Sequence, residues 1–122
     1  MQYLTYIWVD GHGKLRSKVK LQKGQVDTVK DCPVWNYDGS SCHQADTSNS
    51  EVTLIPVSLR DDFLNEKESK LNKKLVLCET FTNQLSGPMQ PALKNFRTES
   101  KEVFEKNCDL EPWFGFGINV KE

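Results

Sequence analysis

One stretch of the chain gathers side chains able to do chemistry. It reads Trp35-Asn36-Tyr37-Asp38-Gly39-Ser40-Ser41, then Cys42-His43-Gln44-Ala45-Asp46-Thr47-Ser48-Asn49-Ser50, with Glu51 opening an apolar run. Two aromatic residues lead to Asp38, and Gly39 permits a backbone turn that a residue with a Cβ resists. Beyond Gly39 the side chains are mostly small and carry hydroxyls or amides. Long polar loops in small domains are where binding and catalysis concentrate. Such a loop can hold the Asp38 carboxylate away from the domain body, where it can attract a cation and accept a proton. The alternative is local: an Asp at a turn can simply cap the turn through its own side chain. Ser40, Ser41, Asn49 and Ser50 read as loop scaffold, bonding one another and the backbone. Glu51 belongs with that scaffold or is a second charge near the same site. Trp35 and Tyr37 read as anchors for the base of the loop. His12, in a turn, and His43, in the loop, are minor candidates for a general base.

The elements that must carry this loop follow from periodicity. Residues 3–9 are rich in β-branched and aromatic types and predict a strand. Asp10-Gly11-His12-Gly13 is a hairpin signal. The return strand alternates, with Leu15, Ser17, Val19 and Leu21 on one side and Arg16, Lys18, Lys20 and Gln22 on the other. That pattern predicts one buried face and a solvated basic stripe, with contact to an acidic neighbour as the alternative. Residues 24–31 read as a loop, 33–37 as an edge strand, and 52–57 as a strand ended by Pro56. Residues 58–73 are charged and read as an exposed connection with at most one helical turn. Leu75 to Phe81 is the best candidate for a buried strand in the second half, and 83–91, with Ser86-Gly87-Pro88 and Pro91, reads as a linker. From Asn95 to Cys108 the period becomes helical, with Phe96, Val103, Phe104 and Cys108 on one stripe and Asn95 or Thr98 as the cap. Trp113 to Val120 reads as the start of another strand. Strands followed by one late helix predict a small mixed α+β unit.

Composition narrows the function classes. Sixteen Lys and Arg against 17 Asp and Glu leave a net charge of −1, which gives no basic footprint for nucleic acid. No apolar run approaches the roughly 20 residues that span a bilayer, and the opening nine residues lack the basic flank of a secretory signal. Cys32, Cys42, Cys78 and Cys108 form no Cys-x-x-Cys pair and read as reduced, mostly packed thiols, the alternatives being disulfides or zinc. Cys42-His43 is the one adjacent pair of soft ligands, and two ligands do not make a site. The cytoplasm is the expected compartment.

Tyr37-Asp38-Gly39-Ser40-Ser41, a seven-residue spacer, Asn49-Ser50-Glu51 and Leu54 resemble the N-terminal signature of glutamine synthetase. Further matching blocks are Tyr6-Ile7-Trp8-Val9-Asp10-Gly11, Leu15-Arg16-Ser17-Lys18, Lys74-Leu75-Val76-Leu77-Cys78-Glu79 and Pro112-Trp113-Phe114-Gly115. Together they span nearly the whole chain and look most like the eukaryotic enzyme. The resemblance implies a β-grasp-like N-terminal domain over residues 1–85, then a linker and the truncated start of a catalytic domain over 86–122. It also implies a role for Asp38: binding ammonium and deprotonating it, in trans, in the active site of an adjacent subunit of an oligomeric ring. Where the family continues with Glu-x-Glu, which holds divalent metal, this chain has Gly117-Ile118-Asn119. Mg²⁺ or Mn²⁺, ATP and glutamate are therefore expected only in a complete enzyme, with no cofactor in this chain. The expectation is an ATP-dependent glutamate–ammonia ligase portion, inactive alone and partnered by other glutamine synthetase subunits, without nucleic acid or membrane. A non-catalytic regulatory or interaction subunit of such a ring, and an inert truncation product, are the alternatives.

Overall fold

Alternation along the first strand puts Leu4, Tyr6 and Trp8 on one side, and in the computed structural model that side is the centre of the core. The structure describes residues 1–63, 72–82, 90–92 and 95–118. Its strands are β1 (Gln2–Val9), β2 (Leu15–Gln22), β3 (Trp35–Asp38), β4 (Glu51–Asp61), β5 (Asn72–Thr82) and the short β6 (Gln90–Pro91), and its helix is α1 (Phe96–Asn107). The sheet runs β2-β1-β5-β4-β3, with β6 also paired to β5. β1 and β5 are parallel, Gln2 opposite Asn72, and the other pairings are antiparallel. This is the expected α+β class, a mixed sheet followed by a single helix.

The core lies on one face of the sheet, where Leu4, Tyr6, Val52, Leu54 and Val76 are fully buried. Burying each such side chain contributes about 1.5–3 kcal/mol before entropy is charged against it. The segment between β2 and β3 closes over this face through Val26 and Cys32. Polar groups fasten it: Val26 N–H donates to Gln2 Oε1 at 2.7 Å, and the Tyr6 hydroxyl donates to the Pro33 carbonyl at 2.6 Å. Buried polar atoms of this kind stabilise only when partnered, and these are.

Several expectations are corrected. On β2 the faces are inverted: Leu15, Val19 and Leu21 are exposed, while Lys18 and Lys20 turn toward the core side. The cause is Trp35, whose ring receives Lys18 Nζ at 3.8 Å and Lys20 Nζ at 4.9 Å from its centroid. Cation–π attraction and burial of the lysine stems let a basic stripe cover an aromatic ring. Pro56 does not end β4; the strand continues to Asp61 through a register shift between Pro56 and Ser58, where the missing N–H is tolerated. Within the expected linker, Gln90–Pro91 pairs with Phe81 and Thr82. Residues 113–118 form no strand. Of the expected connection at 58–73, residues 58–61 belong to β4 and 72–73 to β5, and 64–71 lie outside the described residues, as do 83–89.

Asn95 caps α1, accepting from the N–H groups of Arg97 at 2.9 Å and Thr98 at 3.2 Å, and Thr98 Oγ1 accepts from Asn95 N–H in return. The helix is tied to the sheet by Glu79, a buried carboxylate on β5 that lies 3.5 Å from Arg97 Nη2 and 3.2 Å from Lys101 Nζ. Its apolar stripe, Phe96, Val103 and Phe104, faces outward. Among the described residues no helix is long and apolar enough to cross a membrane. Glu79→Gln is expected to loosen α1 selectively, because both cations lose their counter-charge. Limited proteolysis should then cut faster between residues 95 and 110 than in the parent, with the sheet unaffected; equal cutting rates would show that the helix is held by something else.

Candidate functional site

Asp38 is the last residue of β3, opposite Glu51 on β4, and its side chain is exposed at the rim of the sheet. Oδ1 accepts from the Ser40 N–H at 3.0 Å and from the Ser40 hydroxyl at 2.6 Å. Ser41 Oγ donates to the Asp38 carbonyl at 3.1 Å. The Ser40 hydroxyl, then the Ser40 N–H, and to a lesser degree the Ser50 hydroxyl hold the Asp38 carboxyl below the usual carboxylate range. Asp38 therefore both caps its turn and stands ionised toward solvent. It borders a shallow groove of about 340 Å³ whose walls include Trp8, Tyr37, Arg16 and Lys18.

Gly39 lets the loop fold back against the sheet. Its N–H donates to the Ser50 carbonyl at 2.6 Å, and its own carbonyl accepts from Cys42, Gln44 and Ala45. A Cβ there would stand 2.3 Å from Val52 Cγ2, so the close approach requires glycine. The loop is pinned from inside by Gln44. Its Nε2 donates to the Val9 carbonyl and to Thr80 Oγ1, both at 3.1 Å, and its Oε1 accepts from the Tyr37 hydroxyl. Tyr37 in turn stacks on Trp8 with ring centroids 4.3 Å apart, and burial pushes its phenol well above the usual range.

Ser50 supplies both a carbonyl to Gly39 and a hydroxyl to Asp38. Asn49 closes a 3₁₀ turn over Thr47–Asn49, its N–H donating to the Asp46 carbonyl at 3.1 Å. Glu51 sits across the ladder from Asp38 and accepts from Asn36 Nδ2 at 2.8 Å, so at least part of its carboxylate is engaged within the sheet. Tyr37 anchors the loop through Gln44, while Trp35 packs edge-on against Tyr6 beneath Lys18 and Lys20. Sequence reasoning missed Gln44, whose signal was being the one long amide among short side chains. It also missed Asp10, a fully buried carboxylate that accepts from the N–H groups of His12 and Lys14, each at 2.9 Å, and from Arg16 Nε at 2.8 Å. The bond from Arg16, then that from Lys14, pulls the Asp10 carboxyl down to about 2.

All four cysteines are free, three buried and Cys108 exposed. Among the described residues no group of three or more His, Cys, Asp or Glu is placed to hold a metal ion.

No family model matches the chain. Over 112 residues it is 44% identical to the glutamine synthetase of Panulirus argus, a match covering 90% of this chain and 28% of that protein. It is 41% identical over 112 residues to glutamine synthetase 2 cytoplasmic of Drosophila melanogaster, covering 91% and 28%, and 38% identical over 112 residues to the human glutamine synthetase, covering 90% and 28%. The aligned region is thus a domain-sized segment of much longer synthetases. The chain belongs to the glutamine synthetase family and spans about 28% of the length of the curated relatives it matches.

Two outcomes follow from the anchors. Gln44→Leu leaves the Val9 carbonyl, Thr80 and Tyr37 without their shared partner and is expected to cost about 2–3 kcal/mol, read as a lower urea midpoint at unchanged slope. For Asp10, the folded-state value is depressed, so its contribution is fully present above the ordinary 3.8 and fades as pH falls from there through about 2. Asp10→Asn should therefore be less stable than the parent at neutral pH, with the gap closing across that acidic window. A gap independent of pH would contradict the assignment.

Proposed function

We propose that this chain is the portion of a glutamine synthetase that lends Asp38 to the active site of an adjacent subunit. There the carboxylate binds ammonium and takes a proton from it, freeing ammonia to attack γ-glutamyl phosphate. The observation carrying this reading is the outward Asp38 carboxylate, kept ionised by Ser40 while Gln44 fixes the loop behind it. An anion at the rim attracts a monovalent cation, and closure by a neighbouring subunit would exclude water and let it act as a base. ATP, glutamate and the divalent ions would be bound by other parts of the assembly, which is cytoplasmic.

A second reading, an interaction or regulatory subunit within such a ring, is favoured by the outward apolar stripe of α1 and the exposed Trp113, Phe114 and Phe116. Surfaces of that kind mark contacts between chains.

Purified alone, the 122-residue chain is expected to make no glutamine from glutamate, ammonia and ATP; turnover would overturn the first reading. In a complete glutamine synthetase carrying this segment, Asp38→Ala should lower kcat/KM for ammonium by about 10² or more while leaving assembly intact. Unchanged kinetics in a properly assembled ring would remove Asp38 from the chemistry. Failure of the wild-type chain to co-purify with complete subunits would count against the second reading.

A further inference from the structure

The sheet ends at β2, an eight-residue strand whose outer edge has no partner strand among the described residues. Such an edge is a row of open N–H and C=O groups, and lysines commonly guard it against other chains. Here the guards are drawn aside. Lys18 and Lys20 turn over the Trp35 ring, and Lys18 Nζ also donates to the Asn36 carbonyl at 2.9 Å. On the face away from the core, Leu15, Val19 and Leu21 lie opposite Val9, Thr5 and Tyr3 of β1, and all three are at least half exposed. An open edge beside an apolar stripe fits an added strand with apolar residues at alternate positions. A second β2 is a poor occupant: an antiparallel pair centred on Lys18 sets Lys18 against Lys18 and Arg16 against Lys20, like charges directly opposite.

The chain itself carries a segment of the fitting pattern. Residues 115–118 read Gly-Phe-Gly-Ile, bear no charge and belong to no helix or strand. Phe116 is 96% exposed and Ile118 88%. As a strand, the segment puts Phe116 and Ile118 on one face and Gly115 and Gly117 on the other. A Cβ at either glycine would meet nothing within 4 Å, and neither glycine has a positive φ, so no contact or turn within the chain calls for them. Glycines in a strand mark places where another backbone comes close, and these two leave room for the long side chains of Arg16, Lys18 and Lys20. We propose that residues 115–118 of one copy of this chain add as a strand to the outer edge of β2 in a second copy, with Phe116 and Ile118 covering Leu15, Val19 and Leu21. The contact is heterologous, since each copy offers one edge and one tail. Only copies of this chain are needed, so it stands apart from any contact with complete glutamine synthetase subunits.

The test is sedimentation velocity of the 122-residue chain over a range of concentrations, and the parent is expected to associate as concentration rises. Val19→Asp at the edge and Phe116→Asp in the tail each place a charge at an exposed position, so both variants keep the fold. Each should weaken association by at least about tenfold, the effect of losing one buried apolar contact. Mixed in equal amounts, the two variants should pair again, because one keeps an intact tail and the other an intact edge. Val103→Asp, on the outward stripe of α1, is the control and should associate like the parent. Hydrogen exchange should also slow with rising concentration at alternate amides of β2, those not bonded to β1, in the parent but in neither variant alone. A parent that stays monomeric, edge and tail variants that associate as it does, a mixture that fails to pair, or loss of association in Val103→Asp would overturn the proposal.

Discussion

The fold of the candidate site depends on one buried amide. Gln44 reaches from a polar surface loop into the sheet and bonds three separate elements: the end of β1, Thr80 near the end of β5 and the ring hydroxyl of Tyr37 on β3. An unpaired amide at that depth would cost several kcal/mol, so its burial makes sense only with all these partners in place. The bonds therefore select one conformation of the loop out of the many open to a run of serines, threonine and asparagine. Tyr37 stacked on Trp8 supplies the floor, and Gly39 against Val52 supplies the close approach. Asp38 inherits its position from this arrangement rather than from any contact of its own with the core.

Around the loop, charge is handled in two ways. Asp10 is sealed inside and paid for by two N–H groups and Arg16, so it acts as a structural anion that closes the β1–β2 turn. Asp38 receives its hydrogen bonds from Ser40 and Ser50, yet it remains at the surface. Both are depressed carboxylates, and what separates them is access. An enclosed carboxylate saturated by its own chain has nothing to offer a neighbour, whereas an exposed one does.

Much of this could be read from the residues. Strands β1, β2, β3 and β5 and the helix fall close to where periodicity puts them, because apolar spacing and the Asn95 cap are local signals. The facing of β2 could not be read, since Leu15, Val19 and Leu21 look like a core stripe until Trp35 is known to sit under Lys18 and Lys20. That contact joins residues far apart in the chain, and short-range pattern carries no trace of it. The length of β4 was hidden by Pro56, whose tolerance depends on the bulge beside it. Asp38 stood out by composition and by its family signature. Gln44 did not, because its importance comes from depth, and depth is a property of the assembled sheet.

The pairing of β1 with β5 has a consequence for how the chain is made. Gln2 lies opposite Asn72, so the first strand acquires its parallel neighbour only after some seventy further residues exist. Contacts this distant raise the relative contact order and slow folding, since a large loop must close before any reward arrives. On the ribosome the opening hairpin would emerge with one edge of β1 unpaired, waiting for β5. The interval between those two events is the stage of its life at which this small sheet is most open to mispairing or to capture by a chaperone.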